Sequence, residues 1–190
     1  MRICVYRASS NEIDPAYLQA GEQLGYEMAQ RGHTLVFGGG NQGMMGAVAR
    51  GMTRGSGEII GVAPRFFDIE GVLYQQCTQF IYTETMRERK AIMEEKAEAF
   101  IMTPGGIGTF EEFYEILTLR QLGRHNKPIA VLNTRDYYGP LLQMQERAIE
   151  QQFMKPACRN LFAMFEDPTQ LLRYLESDEA KQLDGQLRSY

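Results

Sequence analysis

Ala99-Phe100-Ile101-Met102-Thr103-Pro104-Gly105-Gly106-Ile107-Gly108-Thr109-Phe110-Glu111-Glu112 is the stretch on which the fold turns. Its first four residues form an apolar run of strand character. The residues that follow it, Phe113 to Leu119, read as a helix. The glycines at this strand-to-helix turn let the backbone come close to a ligand. Free N–H groups at the start of the helix then favour an anion, most often a phosphate. Glu111 and Glu112 sit in the first turn of the same helix. A phosphate cradle with an acid beside it points to chemistry on a phosphorylated substrate. A plainer reading competes. Thr109-x-x-Glu112 has the form of a capping box, which satisfies orphan helix donors and needs no function. A cap does not require Gly105, Gly106 and Gly108 together, and that tips the reading toward a site.

A second glycine turn lies upstream. Thr34-Leu35-Val36-Phe37 reads as a strand and leads into Gly38-Gly39-Gly40-Asn41-Gln42-Gly43. The glycines formally match the dinucleotide fingerprint G-x-G-x-x-G. The acid that would hold a ribose at the end of the next strand is missing, because Ile59 to Ala63 runs into Pro64-Arg65. We read this turn as a second phosphate or ribose contact. The competing reading is a tight turn that serves close helix packing.

Outward from these turns the chain alternates between short apolar runs and amphipathic stretches. Strands are expected at 3–6, 34–37, 59–62, 79–82, 99–102, 129–132 and 162–165. Helices are expected near 15–31, 44–54, 85–98, 109–122, 138–152 and 168–184. That order predicts an α/β fold, a doubly wound parallel sheet with helices on both faces. Ligands in such sheets bind beyond the carboxyl ends of the strands, where both glycine turns fall. At 190 residues the chain reads as one domain, with a helical tail from about 176 to 190.

Composition narrows the function. A net charge of -4 supplies no basic field for nucleic acid. No apolar run reaches the length of a membrane span, and the first residues lack the build of a signal peptide. Cys4, Cys77 and Cys158 are isolated, and His33 and His125 are the only histidines, so no metal site is expected. Together these suggest a cytoplasmic protein. No Gly-Lys-Ser/Thr occurs, which excludes a P-loop nucleotidase.

Thr85-Met86-Arg87-Glu88-Arg89-Lys90 is the basic element. Arg89 has the geometry for a bidentate contact to phosphate or carboxylate. On residue chemistry alone a solvated face with weak ion pairs is slightly favoured for Arg89, and more strongly for Arg87.

Arg89-Lys90 followed by Pro104-Gly105-Gly106-x-Gly108-Thr109-x-x-Glu112 resembles the Lonely Guy (LOG) family of cytokinin-activating phosphoribohydrolases, often labelled lysine decarboxylases. The glycine turn from Gly38 to Gly46, Gln121-Leu122-Gly123, His125-Asn126-Lys127-Pro128 and Tyr137-Tyr138 match as well. The similarity runs from about residue 2 to about 175. It implies a Rossmann-like fold, a homodimer, no cofactor, and hydrolysis of the N-glycosidic bond of a nucleoside 5′-monophosphate. It places the catalytic pair on Arg89 and Glu112. Its binding segment falls on Gly105, Gly106, Ile107, Gly108, Thr109, Phe110 and Glu111. Substrate contacts are expected further at Ser10 after the first strand, at Gly39, Gly40 and Gly43 in the second turn, at Met86 and Lys90, and at Thr118. Two departures add positive charge near the site: Arg7, where the family usually has a small residue or Cys, and Arg87 after Met86. A family acid after the third strand has no clean counterpart, with Gly71 at its ungapped position and Glu70 beside it.

The reaction builds oxocarbenium character on the sugar. Glu112 would stabilise that charge and orient or deprotonate a water, while Arg89 holds Glu112 or the substrate. The group that protonates the leaving base is not assigned. Two other readings stand. A non-catalytic nucleotide-binding module would use the same glycine turns. An amino-acid decarboxylase would need a pyridoxal phosphate lysine, and none of Lys90, Lys96, Lys127, Lys155 or Lys181 sits in a recognisable cofactor motif.

Overall fold

The computed structural model describes residues 1–181. Seven strands, β1 (Arg2–Tyr6), β2 (Thr34–Phe37), β3 (Ile59–Pro64), β4 (Gln79–Thr83), β5 (Ala99–Met102), β6 (Ile129–Leu132) and β7 (Ala163–Phe165), form one sheet in the order β4-β3-β2-β1-β5-β6-β7. Every pairing is parallel. Six helices connect them: α1 (Pro15–Gln30), α2 (Gly43–Arg54), α3 (Met86–Lys96), α4 (Ile107–Gln121), α5 (Gly139–Glu150) and α6 (Pro168–Glu176).

The apolar runs of β1, β2, β3, β5 and β6 become strands covered on both faces, as parallel sheets require, while the edge strands β4 and β7 are only partly covered. Successive side chains alternate between the faces. Ile3, Val5, Leu35 and Phe37 join Leu24 and Met28 of α1, Val48 and Met52 of α2, and Leu171 and Leu175 of α6 in one core. Cys4, Tyr6, Val36, Phe100 and Met102 join Met93 of α3 and Phe113, Ile116 and Leu117 of α4 in the other. Pro15 and Pro168 open their helices behind the capping side chains of Asp14 and Asp167. Winding proceeds one way from β1 toward β4 and the other way from β5 toward β7. The chain therefore diverges between β1 and β5, and a crevice opens there at the carboxyl ends.

Three expectations change. Helix α4 begins at Ile107, two residues before the expected start, and its N-cap is Gly106, which carries no side-chain cap. Thr109 thus lies inside the first turn, and Thr109-x-x-Glu112 is not a capping box. A capping bond of that kind is made by α3 instead, where the Thr85 hydroxyl accepts from Glu88 N–H at 3.1 Å. Helix α6 ends at Glu176 and not near 184, because Ser177 turns extended at its C-cap. The tail expected from about 176 continues as a short 3-10 turn, Glu179–Lys181, and its remainder lies outside the described residues.

Candidate active site

A cavity of about 590 Å³ opens at the divergence of β1 and β5. Loops from four strand ends wall it: Arg7 to Ser10 after β1, Gly38 to Gln42 after β2, Phe67, Val72 and Leu73 after β3, and Gly106 to Glu112 after β5. Of the residues expected to bind substrate, Ser10, Gly40, Met86, Gly106, Ile107, Gly108, Thr109 and Glu111 lie on this wall together with Arg89 and Glu112. Gly39, Gly43, Lys90, Gly105, Phe110 and Thr118 do not. Thr118 is exposed three turns along α4. Phe110 turns into the core against Tyr138, with ring centroids 6.2 Å apart. Gly105 is buried, where a Cβ would stand 2.1 Å from Thr109 Oγ1.

The two glycine turns look alike in sequence but differ in what their donors do. The α2 turn is filled by the β1 loop: Gly43 N–H donates to Asn11 Oδ1 at 2.7 Å, and Met45 N–H donates to Ala8 C=O at 3.1 Å. At α4 the first intrahelical bond is Phe110 N–H to Gly106 C=O at 3.0 Å. The N–H groups of Ile107, Gly108 and Thr109 precede that bond, with no side-chain cap at Gly106. At the α2 turn the Gly43 and Met45 N–H groups are thus taken within the chain, whereas the start of α4 has no side-chain cap; Gly38 and Gly40 of the earlier turn still line the cavity. Tyr137 and Tyr138 brace the α4 turn from behind, donating from their hydroxyls to Gly105 C=O at 2.9 Å and Thr103 C=O at 2.8 Å.

Arg89 is not on a solvated face. It lies in α3, 7% exposed, and Nη1 donates to Glu112 Oε1 at 2.9 Å, with Glu112 8% exposed. A Cβ on Gly38 would sit 2.0 Å from Arg89 Nη2, so the first glycine of the β2 turn makes room for the guanidinium. Lys90, on the adjacent face of α3, is held by Glu111 and by Glu115, the latter at 2.9 Å. Lys127 Nζ donates to Glu94 C=O at 2.7 Å at the end of α3, and His125 Nε2 meets Ile116 C=O of α4 at 2.9 Å. These contacts fix the spacing of α3 and α4, and with it the Arg89–Glu112 distance.

Two outcomes follow from this geometry. Gly38→Ala should displace Arg89, because the added Cβ meets a guanidinium that is buried and bonded to Glu112. Turnover should drop together with a lowered melting temperature; unchanged turnover would show that Arg89 tolerates the shift. The second concerns pH. Burial pushes the Glu112 carboxyl above the usual carboxylate value, and Arg89 pulls it back in part. A carboxylate acts only when ionised, so kcat should fall on acidification through a value above that of an ordinary glutamate. Removing Arg89 should move that limb higher still. A limb at or below the ordinary glutamate value would contradict the burial argument.

Some wall residues had no local signal. Phe67, Val72 and Leu73 come from the β3–β4 connection, which has no glycine pattern of its own, and Glu70 is not on the wall. Phe67, Met86 and Ile107 are exposed apolar side chains on that wall. Among the described residues, no three His, Cys, Asp or Glu side chains group in a way that would hold a metal ion. No helix there is long and apolar enough to cross a membrane.

A family model described as "Possible lysine decarboxylase" matches residues 45–175. A cytokinin riboside 5′-monophosphate phosphoribohydrolase of Arabidopsis thaliana is 37% identical over 178 residues, which are 94% of this chain and 82% of that protein. Another Arabidopsis thaliana protein of that name is 35% identical over 92% of this chain and 82% of its own length. Among solved structures, the molybdenum cofactor binding protein of Rippkaea orientalis aligns with a TM-score of 0.69 at 22% identity, covering 92% of this chain and 94% of that one. The molybdenum cofactor carrier protein of Chlamydomonas reinhardtii aligns with a TM-score of 0.70 at 19% identity, covering 92% and 95%. At these identities the structural likeness speaks to the fold alone.

Proposed function

Because the chain belongs to the Lonely Guy (LOG) family, we propose that it hydrolyses the N-glycosidic bond of a nucleoside 5′-monophosphate, a cytokinin riboside monophosphate or AMP, to free base and ribose 5-phosphate. The observation that carries this reading is the buried Arg89–Glu112 pair in the same cavity as the uncapped start of α4. The 5′-phosphate takes the N–H groups of Ile107, Gly108 and Thr109. The ribose then reaches Glu112, whose carboxylate faces the positive charge that grows at C1′ and orients or deprotonates the attacking water. Arg89 holds that carboxylate in place and favours its ionised form.

The test is a panel of nucleoside 5′-monophosphates, with free base and ribose 5-phosphate separated by chromatography. Release of base from at least one member is expected. Tight binding without release would favour the non-catalytic nucleotide module. The family model's description as a decarboxylase finds no support in the cavity. Its wall carries no lysine among the described residues, and Lys90 is held by two glutamates.

The working unit we propose is a homodimer. Of Phe113, Ile116, Leu117 and Leu119, whose apolar spacing between Phe110 and Leu122 suggests a dimer face in the sequence, the first three pack into the chain's own core and Leu119 is half-buried. Tyr114 on α4, Leu142 and Met144 on α5, and Phe153 beyond it remain exposed and apolar, and they are the better candidates. Light scattering at micromolar concentration should give twice the 21.7 kDa chain mass. A monomer mass would refute the dimer.

A further inference from the structure

Arg7 is the one charged side chain of the cavity wall without a hydrogen-bond partner among the described residues. It is 4% exposed, and Nε, Nη1 and Nη2 are all buried and unpaired. Its guanidinium lies over the Phe37 ring, 4.8 Å from the centroid. Burial pushes it down to about 9, with Glu112 among the charges that resist and Arg89 among those that add to the fall. A buried cation without hydrogen bonds is expensive, and a cation–π contact recovers only part of the cost. Such a group is poor at stabilising a fold and well suited to a ligand that supplies the missing acceptors.

The sheet order says which part of a nucleotide would meet it. β5 lies on one side of β1 and β2 on the other. The phosphate position at α4 follows β5, whereas Arg7 leans over Phe37, the last residue of β2. On the proposed reading the ribose would lie between them, at Arg89 and Glu112. Arg7 would thus be on the far side of the sugar from the phosphate, toward the β2 end, where Gly40 contacts Met45 and pairs with Leu73. That is the side to which the base departs.

We propose that Arg7 is a catalytic residue of the cleavage, donating hydrogen bonds to the departing base and stabilising the electron pair it carries away. This rests on the N-glycosidase reading above. The C1′–N bond breaks with both electrons going to the base nitrogen. A new C1′–O bond forms to water, and Glu112 takes one water proton. That proton returns through cavity solvent to the base, so one water is consumed and Arg7 keeps its protons. The arrangement works like an oxyanion hole aimed at a leaving group.

The test compares wild type, Arg7→Met and Arg7→Lys on AMP and on 4-nitrophenyl ribofuranoside 5-phosphate. Nitrophenolate is a stable anion and leaves with little help. Arg7→Met should lose at least roughly ten-fold more kcat on AMP than on the nitrophenyl substrate, the scale of a lost transition-state donor. Its melting temperature should hold or rise, because an apolar side chain replaces an unpaired buried charge. Arg7→Lys should recover part of the AMP turnover, and it carries the test if Arg7→Met fails to fold. Equal losses on both substrates, or none on AMP, would overturn the role of Arg7. Failure of the wild type to release either leaving group would instead remove the N-glycosidase reading, and this inference with it.

Discussion

Glu112→Gln should stay folded and lose base release by on the order of a hundred-fold or more, the scale of a lost general base. The substitution keeps the size of the side chain, and its amide oxygen can still accept from Arg89 Nη1, the contact that Glu112 makes at 2.9 Å. The negative charge opposite the sugar is removed. Since α4 starts at Ile107 with Gly106 as its cap, loss of a helix cap is no longer an explanation for any effect. A stability cost is expected from another source. Arg89 would be left buried beside a neutral partner, a loss of about 1.5–3 kcal/mol for a hydrogen bond to a charged group. That is a fraction of the roughly 5–15 kcal/mol of a typical domain, so circular dichroism should report a folded variant with a lowered midpoint. Arg89→Ala should be similarly inactive. The double variant should be little worse than either single one, because groups that act as a unit are strongly non-additive. Near-normal AMP hydrolysis by Glu112→Gln would mean that the buried pair is a structural ion pair and that the chemistry lies elsewhere.

Removal of the 5′-phosphate should be nearly as damaging. Adenosine lacks the group that the open N–H donors of Ile107, Gly108 and Thr109 would hold. Each charge-assisted bond is worth about 1.5–3 kcal/mol. Losing two of them corresponds to on the order of a hundred-fold or more in kcat/KM against AMP, at roughly 1.4 kcal/mol per ten-fold. Inorganic phosphate and ribose 5-phosphate should inhibit competitively through the same donors. Equal turnover of adenosine and AMP would sink the assignment of the α4 start as the phosphate position. It would leave the Arg89–Glu112 argument standing, because the proposed role of that pair is toward the sugar and not the phosphate.

Both expectations use a site that was only partly legible in the linear chain. The seven apolar runs became seven strands within two residues at each end, and the Pro104–Gly106 turn could be read as a candidate anion site, with a capping box at Thr109 as its competitor. Arg89 was another matter. Its segment, Met86 to Lys96, is so polar that a solvated helix face is the natural reading. The one signal to the contrary is that Arg89 and Met93, one turn apart, share a face, and both are buried. The Gly38 to Gly43 turn carries four glycines against three at the α4 turn, yet its Gly43 and Met45 donors go to Asn11 and Ala8, residues more than thirty positions earlier. Nothing local distinguishes the two turns.

The division has a physical origin. Strand, helix and glycine turn are settled by side-chain periodicity and backbone freedom within a few residues of one another, so the sequence by itself determined the sheet, its helical layers and the two glycine turns at its carboxyl edge. Burial of a charge depends on what the fold sets beside it. Arg89 and Glu112 stand 23 residues apart on different helices, and Arg7 reaches Phe37 across two neighbouring strands. Only the divergence of β1 and β5 brings these groups into one cavity, where a low dielectric turns an ordinary glutamate into a perturbed carboxyl and leaves one arginine waiting for a partner.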